Sequence, residues 1–526
     1  MMQWKISGQV KMFKTMWVLS VLCVFIPWHR GFAQQAPERS SELSSAAIRT
    51  PLPPAVPRIN GPSIFGVRPE HPLVYRIPAT GDRPMTFSVD HLPAGLQVDS
   101  ETGQLSGSVK EPGRYSVTLR ASNAKGASEK KFTIVVGETI TLTPPLGWNS
   151  WNCWGSRVTA DKVLRSARGM VSSGLINHGW SYINIDDAWQ GKRGGEFNGI
   201  QGNEKFPDMK ALCDEIHAIG LKVGIYSTPW TTSYAVYIGS TSENPEGKWE
   251  KPTIPKKGNV NKKILPWAIG KYSFVTNDAK QWAAWGIDYL KYDWNPIELP
   301  ETREMYEALR SSGRDIILSL SNSTPFQNIS DLCKLANCWR TSGDIRDTWE
   351  SMNPKGFGVD KWAPYSGPGH WNDPDMLVVG YVGWGEPHPT KLTPDEQYTH
   401  ITLWCLVNSP LLLGCDLEKL DAFTLNLLTN DEVLAVNQDS LGRQALKVSQ
   451  QDNLRIYAKP LEDGSTAVGL FNLGNKDAAV TAKWSDLNLS GKRTVRDLWR
   501  QRNLGQFEGQ FQMTVASHGA ELIQVK

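Results

Sequence analysis

The spacing of apolar and polar positions divides the chain into three zones with different predicted folds. Between Ile59 and Gly137, alternating runs such as TFSVDHL and GRYSVTLRAS lie between turn residues, which predicts a small antiparallel β-sandwich. From about Thr143, apolar strand-like runs alternate with helix-like stretches, the pattern of βα units. After about Asn437, alternating runs such as LRIYAKPL and TAVGLFNL return and predict a second antiparallel sandwich.

Eight apolar runs of the middle zone end in polar or aromatic residues. They are GWNSW (147–151), YINIDDAW (182–189), KVGIYSTPW (222–230), YLKYD (289–293), IILSLSN (316–322), CWRTSGD (338–344), HWNDPDM (370–376) and PLLLGCDL (410–417). Eight parallel strands close a (β/α)8 barrel, whose carboxyl strand ends form one active-site mouth. We therefore predict a multidomain protein with a (β/α)8 TIM barrel over 141–436, an Ig-like β-sandwich over 59–140 and a C-terminal antiparallel β-sandwich over 437–526.

The stretch GIDYLKYDWNP (286–296) carries the clearest candidate chemistry. Lys291 and Asp293 are two residues apart in a predicted strand and so project from the same face. A carboxylate held beside an ammonium group stays ionised and can act as a nucleophile. The alternative, a strand-end salt bridge without catalytic function, stays open on this segment alone. Other aspartates at predicted strand ends are Asp186, Asp187, Asp344, Asp373 and Asp375. Spacing alone therefore does not choose a catalytic pair.

The N-terminus has the pattern of an export signal. Lysines precede an apolar run from Met16 to Trp28, and Gly31-Phe32-Ala33 ends in a small residue before Gln34. The run is short for a membrane span, so we expect a signal peptide over 1–33, cleaved near Ala33, and a secreted or periplasmic mature chain. Residues 34–58 are rich in Pro, Ser and Ala, and we expect a linker without a fold of its own.

Composition narrows the possible partners. The 526 residues include 56 basic and 53 acidic side chains, a formal charge of +3, which gives no electrostatic case for nucleic acid or an anionic membrane surface. The 22 Trp residues suit a carbohydrate partner, since sugar faces stack on indole rings. Six cysteines remain after the signal, without a CxxC pair, which argues against a zinc site. We predict no metal site and no cofactor. Pairing of Cys333 with Cys338 stays open, as does the oligomeric state.

Six sequence motifs of the middle zone, which follow one another in the family's order, resemble glycoside hydrolase family 27. They are PPLGWNSW (144–151), INIDDAW (183–189), GIY (224–226), YLKYD (289–293), WRTSGDI (339–345) and GHWNDPDML (369–377). The family comprises retaining α-galactosidases and α-N-acetylgalactosaminidases, and the resemblance implies the same barrel followed by a C-terminal sandwich. The segment LPAGLQVDSETGQLSGSV (92–109) and the strands after it resemble the bacterial Ig-like modules that precede secreted carbohydrate enzymes.

The resemblance implies a role for each matching residue. Asp293 becomes the nucleophile, and Asp344 the general acid/base. The implied sugar contacts are Lys291 to hydroxyls, Arg340 near the C2 substituent, Asp186 and Asp187 to O4 and O6, Trp151 and Tyr226 along the pocket, and Asp375 with Met376 in its wall. For the two catalytic carboxyls we expect opposite shifts of pKa. Lys291 should keep Asp293 ionised, and an apolar wall should keep Asp344 protonated.

Three departures from the family pattern affect the predicted substrate. Tyr234 and Asn295 stand near the places where many members join two cysteines, and a long polar stretch over 231–272 either shapes the mouth or forms a solvated loop. The run LSLSNSTPF places Ser321 or Asn322 near the C2 substituent, where a small residue could admit an N-acetyl group. The predicted function is a secreted retaining exo-α-galactosidase. The alternatives are α-N-acetylgalactosaminidase, β-L-arabinopyranosidase, isomaltodextranase-like activity, or sugar binding without catalysis.

Overall fold

The computed structural model describes residues 47–252 and 267–526. The predicted signal peptide, most of the predicted linker and part of the 231–272 stretch lie outside the described residues. Three zones follow one another along the described chain, and their order confirms the predicted multidomain architecture of a barrel between two β-rich modules. In the part of the chain that the structure describes, no helix is long and apolar enough to cross a membrane.

The N-terminal module consists of short strands around its own core. Its elements are β1 (Arg58–Ile59), β2 (Ile64–Val67), β3 (Leu73–Arg76), β4 (Ala79–Thr80), β5 (Thr86–Asp90), β6 (Leu96–Val98), β7 (Gln104–Gly107), β8 (Gly113–Asn123) and β9 (Gly126–Val136). A four-stranded sheet in the order β2-β9-β8-β5 faces a three-stranded sheet in the order β3-β7-β6. Alternate residues of β8 and β9, such as Leu119 and Ile134, are fully buried between them. The prediction of purely antiparallel pairing is wrong for β2, which runs parallel to β9.

The middle zone alternates strands with helices as predicted. Its elements are β10 (Leu146–Asn149), α1 (Trp151–Trp154), α2 (Ala160–Ser172), β11 (Tyr182–Asn184), β12 (Gln190–Gly194), β13 (Gly199–Gly202), α3 (Met209–Ala218), β14 (Lys222–Ser227), β15 (Thr241–Ser242), β16 (Tyr272–Ser273), α4 (Val275–Trp285), β17 (Tyr289–Asp293), α5 (Leu299–Arg310), β18 (Ile317–Ser321), α6 (Ile329–Leu332), β19 (Cys338–Arg340), α7 (Trp349–Gly356), β20 (Trp371–Asp373), β21 (Tyr381–Val382), β22 (His388–Pro389), α8 (Pro394–Leu406), β23 (Leu411–Leu413), α9 (Ala422–Leu428) and α10 (Asp431–Asn437).

Eight of these strands form one parallel sheet in the order β20-β19-β18-β17-β14-β11-β10-β23. All eight coincide with the apolar runs chosen from the sequence, which confirms the barrel prediction. The sheet closes beyond the end of β20, where Leu377 pairs in parallel with Leu413, and the Leu377 N–H donates to the Leu412 carbonyl at 2.8 Å. Closure places the carboxyl ends of the eight strands around one mouth.

Helix α8 joins the barrel to the C-terminal sandwich. Thr393 and Glu396 form a reciprocal capping box at its start, and Pro394 occupies its first turn, which together define a sharp beginning. The helix is buried almost all round, because the barrel covers one side and the last strand of the sandwich another. A helix buried on all sides is expected to be apolar in every direction rather than amphipathic.

The C-terminal zone is an antiparallel β-sandwich, as predicted. Its strands are β24 (Leu446–Gln451), β25 (Leu454–Pro460), β26 (Thr466–Asn472), β27 (Ala478–Lys483), β28 (Lys492–Asp497), β29 (Arg502–Glu508), β30 (Gln510–Val515) and β31 (Ala520–Val525). Six of them pair in the order β24-β25-β26-β31-β28-β29, and β27 pairs with β30. Val468, Leu470 and Ile523 are fully buried between the layers, so the core follows the period of two seen in the sequence.

The N-terminal module is docked on the end of the barrel opposite the mouth. Asp315, just before β18, accepts the Arg68 backbone N–H at 2.9 Å and lies 2.8 Å from His71 Nδ1. The Lys222 ammonium, at the start of β14, lies 4.7 Å from the centre of the Phe65 ring. Since these barrel residues precede their strands, the module covers the amino ends of the strands.

The described end of the linker is hydrogen-bonded to the barrel and to the C-terminal sandwich. The Arg49 guanidinium donates to Asp395 at 2.9 Å and to the Ala520 carbonyl at 3.2 Å, and Thr50 exchanges hydrogen bonds with Asn426. The expectation of a linker without structure is therefore wrong for residues 47–50. The local sequence pattern gives no signal of this attachment, because these bonds join residues far apart in the sequence.

The cysteines of the described residues are all unpaired thiols, and Cys333 and Cys338 do not form a bridge. Cys338 is fully buried within β19, where burial raises the pKa of its thiol well above the ordinary value. A thiol with a raised pKa is a poor nucleophile, so this residue behaves as a small apolar side chain.

Candidate active site

The predicted site residues meet at the mouth because of the register of the central strands. Tyr226 of β14 pairs with Lys291 of β17, and Asp293 pairs with Ser321 of β18. Since alternate residues of a strand face the same side, Lys291, Asp293 and Ser321 all face the inside of the barrel. Arg340 is the last residue of β19, so its guanidinium extends from the neighbouring strand end.

Asp186 is held by a buried network. Its Oδ2 accepts the Lys291 ammonium at 2.9 Å and the Asn149 amide at 2.8 Å, while its backbone N–H donates to the Ser150 hydroxyl at 2.9 Å. The Asp186 side chain is 2% exposed and that of Lys291 16%. The ion pair therefore fixes both side chains, and the Lys291 side chain remains partly exposed.

Asp187 is bound by the loop that follows β14. Its Oδ1 accepts the Ser233 hydroxyl at 2.8 Å and the Gln190 amide at 3.0 Å, and its Oδ2 accepts the Ala235 backbone N–H at 2.8 Å. Burial raises the pKa of Asp187, although these hydrogen bonds oppose the shift. The carboxylate thus anchors the start of the 231–272 stretch, where Ser233 is buried and Ala235 is partly buried.

Asp293 is a buried carboxylate whose charge is poorly compensated. Burial raises the pKa of Asp293 to about 7, the charge of Lys291 opposes this shift, and Asp186 and Asp344 add to it. In the residues that the structure describes, Asp293 Oδ1 is buried without a hydrogen-bond partner. The expectation that Lys291 keeps Asp293 fully ionised is wrong for the substrate-free site, because the ammonium is paired with Asp186 and burial outweighs its attraction.

Asp344 lies at the solvent edge of the mouth. Arg340 Nη2 donates to its Oδ1 at 3.3 Å, and the side chain is 52% exposed. Burial raises the pKa of Asp344, but the charges of Arg340 and Lys291 outweigh it and leave the pKa lowered. Because the Asp344 side chain is half exposed and its pKa is lowered, the prediction that an apolar wall keeps it protonated is wrong for the substrate-free site.

Asp375 holds the segment that carries Asp344. Its Oδ2 lies 2.8 Å from Arg340 Nη2 and accepts the Ile345 backbone N–H at 2.7 Å. Arg340 and Asp375 are 5% and 3% exposed, so this is a buried charge-assisted pair. Asp373, the other carboxylate of its motif, accepts the Asp375 backbone N–H at 2.8 Å, and burial raises its pKa to about 6.

The remaining predicted contacts form the walls. Tyr226 and Ser321 are buried, and neither hydroxyl has a hydrogen-bond partner within the described ranges. Met376 is buried in a small cluster inside the barrel, and Trp151 packs partly exposed against the same cluster. A cavity of about 20 Å³ beneath the mouth is lined by Lys291, Ser321, Arg340, Met376 and six neighbours, among them Asp375. Every predicted site residue therefore lies at or just below the mouth.

No group of three or more His, Cys, Asp or Glu side chains suited to a metal ion occurs among residues 47–252 and 267–526. The ammonium of Lys291 and the guanidinium of Arg340 supply the positive charge at this mouth. The arrangement offers two carboxyl groups, Asp293 and Asp344, beside a set of fixed polar groups. Such a site can perform acid/base and nucleophilic chemistry on a neutral hydroxyl-rich molecule.

The comparison with known protein families decides the relationship. The family model described as "Alpha galactosidase A" matches residues 143–246 and 258–439, a region that contains all the site residues above. The chain belongs to the α-galactosidase family of glycoside hydrolases. The model of the α-galactosidase C-terminal β-sandwich domain matches residues 451–525, and the model described as "Putative Ig domain" matches residues 56–137. The resemblance to glycoside hydrolase family 27 is confirmed.

Members of the α-galactosidase family match over most of the chain. Alpha-galactosidase 2 of Arabidopsis thaliana is 36% identical over 413 residues, which cover 77% of this chain and 95% of that protein. Alpha-galactosidase of Cyamopsis tetragonoloba is 38% identical over 416 residues, which cover 77% of this chain and 92% of that protein. A crystal structure of a "putative alpha-galactosidase" from Bacteroides fragilis superimposes with a TM-score of 0.79 at 34% identity, covering 90% of this chain and 98% of that chain.

A family 27 β-L-arabinopyranosidase from Geobacillus stearothermophilus also matches. It superimposes with a TM-score of 0.62 at 28% identity and covers 73% of this chain and 96% of that chain. The barrel therefore supports more than one sugar specificity within the α-galactosidase family.

Sequence reasoning missed one contributor to this α-galactosidase-type site and named a second without placing it at the catalytic pair. Asn149 ends β10 and binds Asp186. Its position at a strand end, inside the word GWNSW, was a usable signal. Tyr234 lies on the 231–272 stretch, yet both Asp293 and Asp344 act electrostatically on its phenol. The approach of Tyr234 to these two carboxyl groups could not be predicted from the local sequence, because it depends on how the loop crosses the mouth.

Proposed function

We propose that the protein is a retaining exo-α-galactosidase that releases terminal α-galactosyl residues from oligosaccharides or polysaccharides. The observation that carries the proposal is the placement of Asp293 and Asp344 at one mouth, with Lys291 and Arg340 acting electrostatically on both carboxyl groups. Retaining glycosidases need one carboxylate as nucleophile and a second carboxyl group as acid and then base. The names of the relatives supply the sugar.

The first step joins the sugar to the protein. A carboxylate oxygen of Asp293 attacks the anomeric carbon from the β face while Asp344 gives its proton to the glycosidic oxygen. The bond to the leaving alcohol breaks, and a β-galactosyl ester of Asp293 forms. In the second step Asp344 removes a proton from water, whose oxygen attacks from the α face. This releases α-galactose, restores Asp293 and returns the proton to Asp344.

Substrate binding explains how Asp344 holds the proton in that first step. Before binding, the pKa of Asp293 is raised and that of Asp344 is lowered, so a single shared proton resides mainly on Asp293. A bound glycoside replaces water at the exposed Asp344 carboxyl group, which raises its pKa. The proton then favours Asp344, and Asp293 becomes the ionised nucleophile that the reaction needs.

The polar groups around Asp186 suit recognition of galactose. Asp186 is an acceptor already oriented by Lys291 and Asn149, and Lys291 keeps further donors available. A sugar with an equatorial O4 leaves such buried groups unpaired, and the loss of one buried hydrogen bond costs about 1–3 kcal/mol. The hydroxyls of Tyr226 and Ser321, which have no hydrogen-bond partner among the described residues, offer two further contacts.

The test is a set of initial rates on p-nitrophenyl glycosides with purified protein. The panel contains the α-galactoside, α-N-acetylgalactosaminide, β-L-arabinopyranoside and α-glucoside. A dominant rate on the α-galactoside, with α-galactose as the first product seen by NMR, supports the proposal. A dominant rate on another sugar retains the mechanism but refutes the substrate. Binding of galactose without turnover of any glycoside would instead indicate a non-catalytic sugar-binding protein.

The pH dependence of kcat/KM follows from the coupled carboxyl pair. The reactive form of the free protein holds one proton between Asp293 and Asp344. Because the pKa of Asp293 is about 7, loss of this proton should lower kcat/KM as the pH rises through about 7. The lowered pKa of Asp344 places the acid limb below the ordinary aspartate range. Rates on the α-galactoside in buffers of constant ionic strength check both limbs.

A variant separates this pair from other titrating groups. Asp344→Asn removes the shared proton and the negative charge that raises the pKa of Asp293. With an activated leaving group the alkaline limb should disappear, and the remaining activity should rise to a plateau as Asp293 ionises. An alkaline limb that persists unchanged in Asp344→Asn would assign it to a group outside the pair.

We also infer that the mature chain is exported after cleavage near Ala33. The support is the order of lysines, a short apolar run and the small residue at position 33 in the sequence. Mass spectrometry of the protein recovered from the medium or periplasm, compared with the cytoplasm, tests this inference. An intact N-terminus on cytoplasmic protein alone would refute it.

A further inference from the structure

The 231–272 stretch contributes a side chain to the catalytic mouth. Ser233 and Ala235 both donate to Asp187, at 2.8 Å each, and Tyr234 lies between them. Two hydrogen bonds to one buried carboxylate fix the backbone on either side of Tyr234. The direction of its side chain is therefore set by the same residue that the family resemblance places at O4 and O6 of the sugar.

The Tyr234 side chain is supported at both ends. Its ring packs edge-on against Trp230, with ring centres 5.1 Å apart, and its phenol is hydrogen-bonded to the Asn322 side chain. We call this pair the Tyr234–Asn322 bridge. The sheet order is β14-β17-β18, and Tyr234 follows β14 while Asn322 follows β18. The bridge therefore crosses the end of β17, where Asp293 lies.

The course of the bridge over the end of β17 places it beside Asp293. Burial raises the pKa of Tyr234, and the charges of Asp293 and Asp344 raise it further. The phenol consequently stays neutral and remains a donor. During double displacement the two carboxyl groups flank the anomeric carbon, so a side chain close to both of them lies within reach of the substituents on that carbon.

We propose that Tyr234 is a substrate-binding residue that contacts the galactosyl unit beside its anomeric carbon, and that Asn322 holds it there. This proposal rests on the proposed glycosidase function and extends it to a residue of the inserted stretch. The bridge also forms a wall over the strand that carries Asp293. A sugar attached to Asp293 has to fit against this wall, so the wall contributes to the selection of the substrate.

Tyr237 supplies a matched control on the same stretch. Its phenol is 3.5 Å from the Lys205 ammonium, and its ring lies 5.3 Å from the same group. Its backbone N–H donates to Ser233 at 3.1 Å, a bond that a side-chain substitution leaves intact. Tyr237→Phe thus removes a hydroxyl from the inserted stretch without altering the bridge.

The experiment compares Tyr234→Phe, Asn322→Ala, the double variant and Tyr237→Phe by kcat, KM and the inhibition constant of galactose. Tyr234→Phe should lower kcat/KM about tenfold and weaken galactose binding about fivefold, the effect of one lost hydrogen bond. The melting temperature should stay that of the wild type. Tyr237→Phe should leave all three constants unchanged.

The double variant tests the link between the two residues. Because both single substitutions break the same bond, the double variant should be little worse than either one, whereas independent residues would multiply their effects. Unchanged kinetics and galactose binding in Tyr234→Phe would overturn the proposal. A lower melting temperature with unchanged galactose binding would show that Tyr234 has only a structural role, and this result would also overturn the proposal.

Failure of the proposed function gives a different result. If the wild-type protein releases no sugar from the whole panel, the glycosidase assignment fails. The bridge is then tested by calorimetric titration of galactose into the wild type, Tyr234→Phe and Tyr237→Phe. Weaker binding in Tyr234→Phe alone supports the contact, and equal binding in all three refutes it.

Discussion

Asp293→Ala should lower kcat on p-nitrophenyl α-galactoside by about 10⁴-fold or more, because the nucleophile is lost while the rest of the mouth is retained. Galactose binding should survive, since Asp186, Lys291 and Arg340 remain in place. Added azide should restore part of the rate by attacking the anomeric carbon from the β face that Asp293 vacates. The product, identified by NMR, should be the β-galactosyl azide.

Asp288→Asn is the matched control for this variant. Asp288 precedes the same strand, β17, at the opposite end of the barrel, where it binds His217 at 2.9 Å and Arg314 at 2.6 Å. Its loss should reduce stability and leave the chemistry intact. Wild-type turnover by Asp293→Ala, or loss of activity equal to that of Asp288→Asn, would contradict the assignment of the nucleophile.

Asp293→Asn should at the same time stabilise the fold at neutral pH. The pKa of Asp293 is raised from 3.8 to about 7, so the wild-type protein loses stability as the pH rises across that interval. The asparagine variant carries no such charge. Its melting temperature should equal that of the wild type near pH 4 and exceed it near pH 8. The gain in free energy of unfolding is at most ~4 kcal/mol, which corresponds to the shift of about three pKa units.

Asp344→Ala should lower the rate according to the leaving group. For alkyl galactosides, which need protonation of the departing oxygen, kcat/KM should fall about 10²- to 10⁴-fold. For p-nitrophenyl galactoside the first step should fall less, and the galactosyl ester should accumulate, so that KM falls together with kcat. Azide should trap this ester from the α face and give the α-galactosyl azide.

Asp347 offers a neighbouring carboxylate for comparison. It lies three residues further along the same segment, is 3% exposed at its side chain, and binds His388 at 3.1 Å. Asp347→Asn should affect stability more than rate and should show no dependence on the leaving group. A uniform loss of rate for all leaving groups in Asp344→Ala would argue against its role as general acid.

The eight barrel strands were predictable because their signal is local. Runs such as Ile317–Ser321 combine apolar residues with a polar end, and the pattern survives any detail of packing. The parallel pairing of β2 with β9 and the attachment of residues 47–50 were not predictable in this way. Both depend on partners tens to hundreds of residues distant, which no short window of sequence contains.

The residues that gather at the mouth were likewise predictable in position but not in electrostatic state. Asp293 and Lys291 are two residues apart, and their proximity suggested an ionised nucleophile. The structure shows that Asp186 takes the Lys291 ammonium and that burial dominates the pKa of Asp293. For Asp344, the decisive neighbour is Arg340, four residues earlier. Which of several nearby charges forms an ion pair is a question of three-dimensional distance.

The docking of the N-terminal module on the amino ends of the barrel strands has a consequence for unfolding. His71 and Arg68 bind Asp315, and Asn60 donates to the Asn177 carbonyl at 2.9 Å, so exposing either surface breaks contacts of the other. The module and the barrel should therefore melt as one cooperative unit. Scanning calorimetry should record a single endotherm for both, and an early separate transition of the module would show that its interface contributes little.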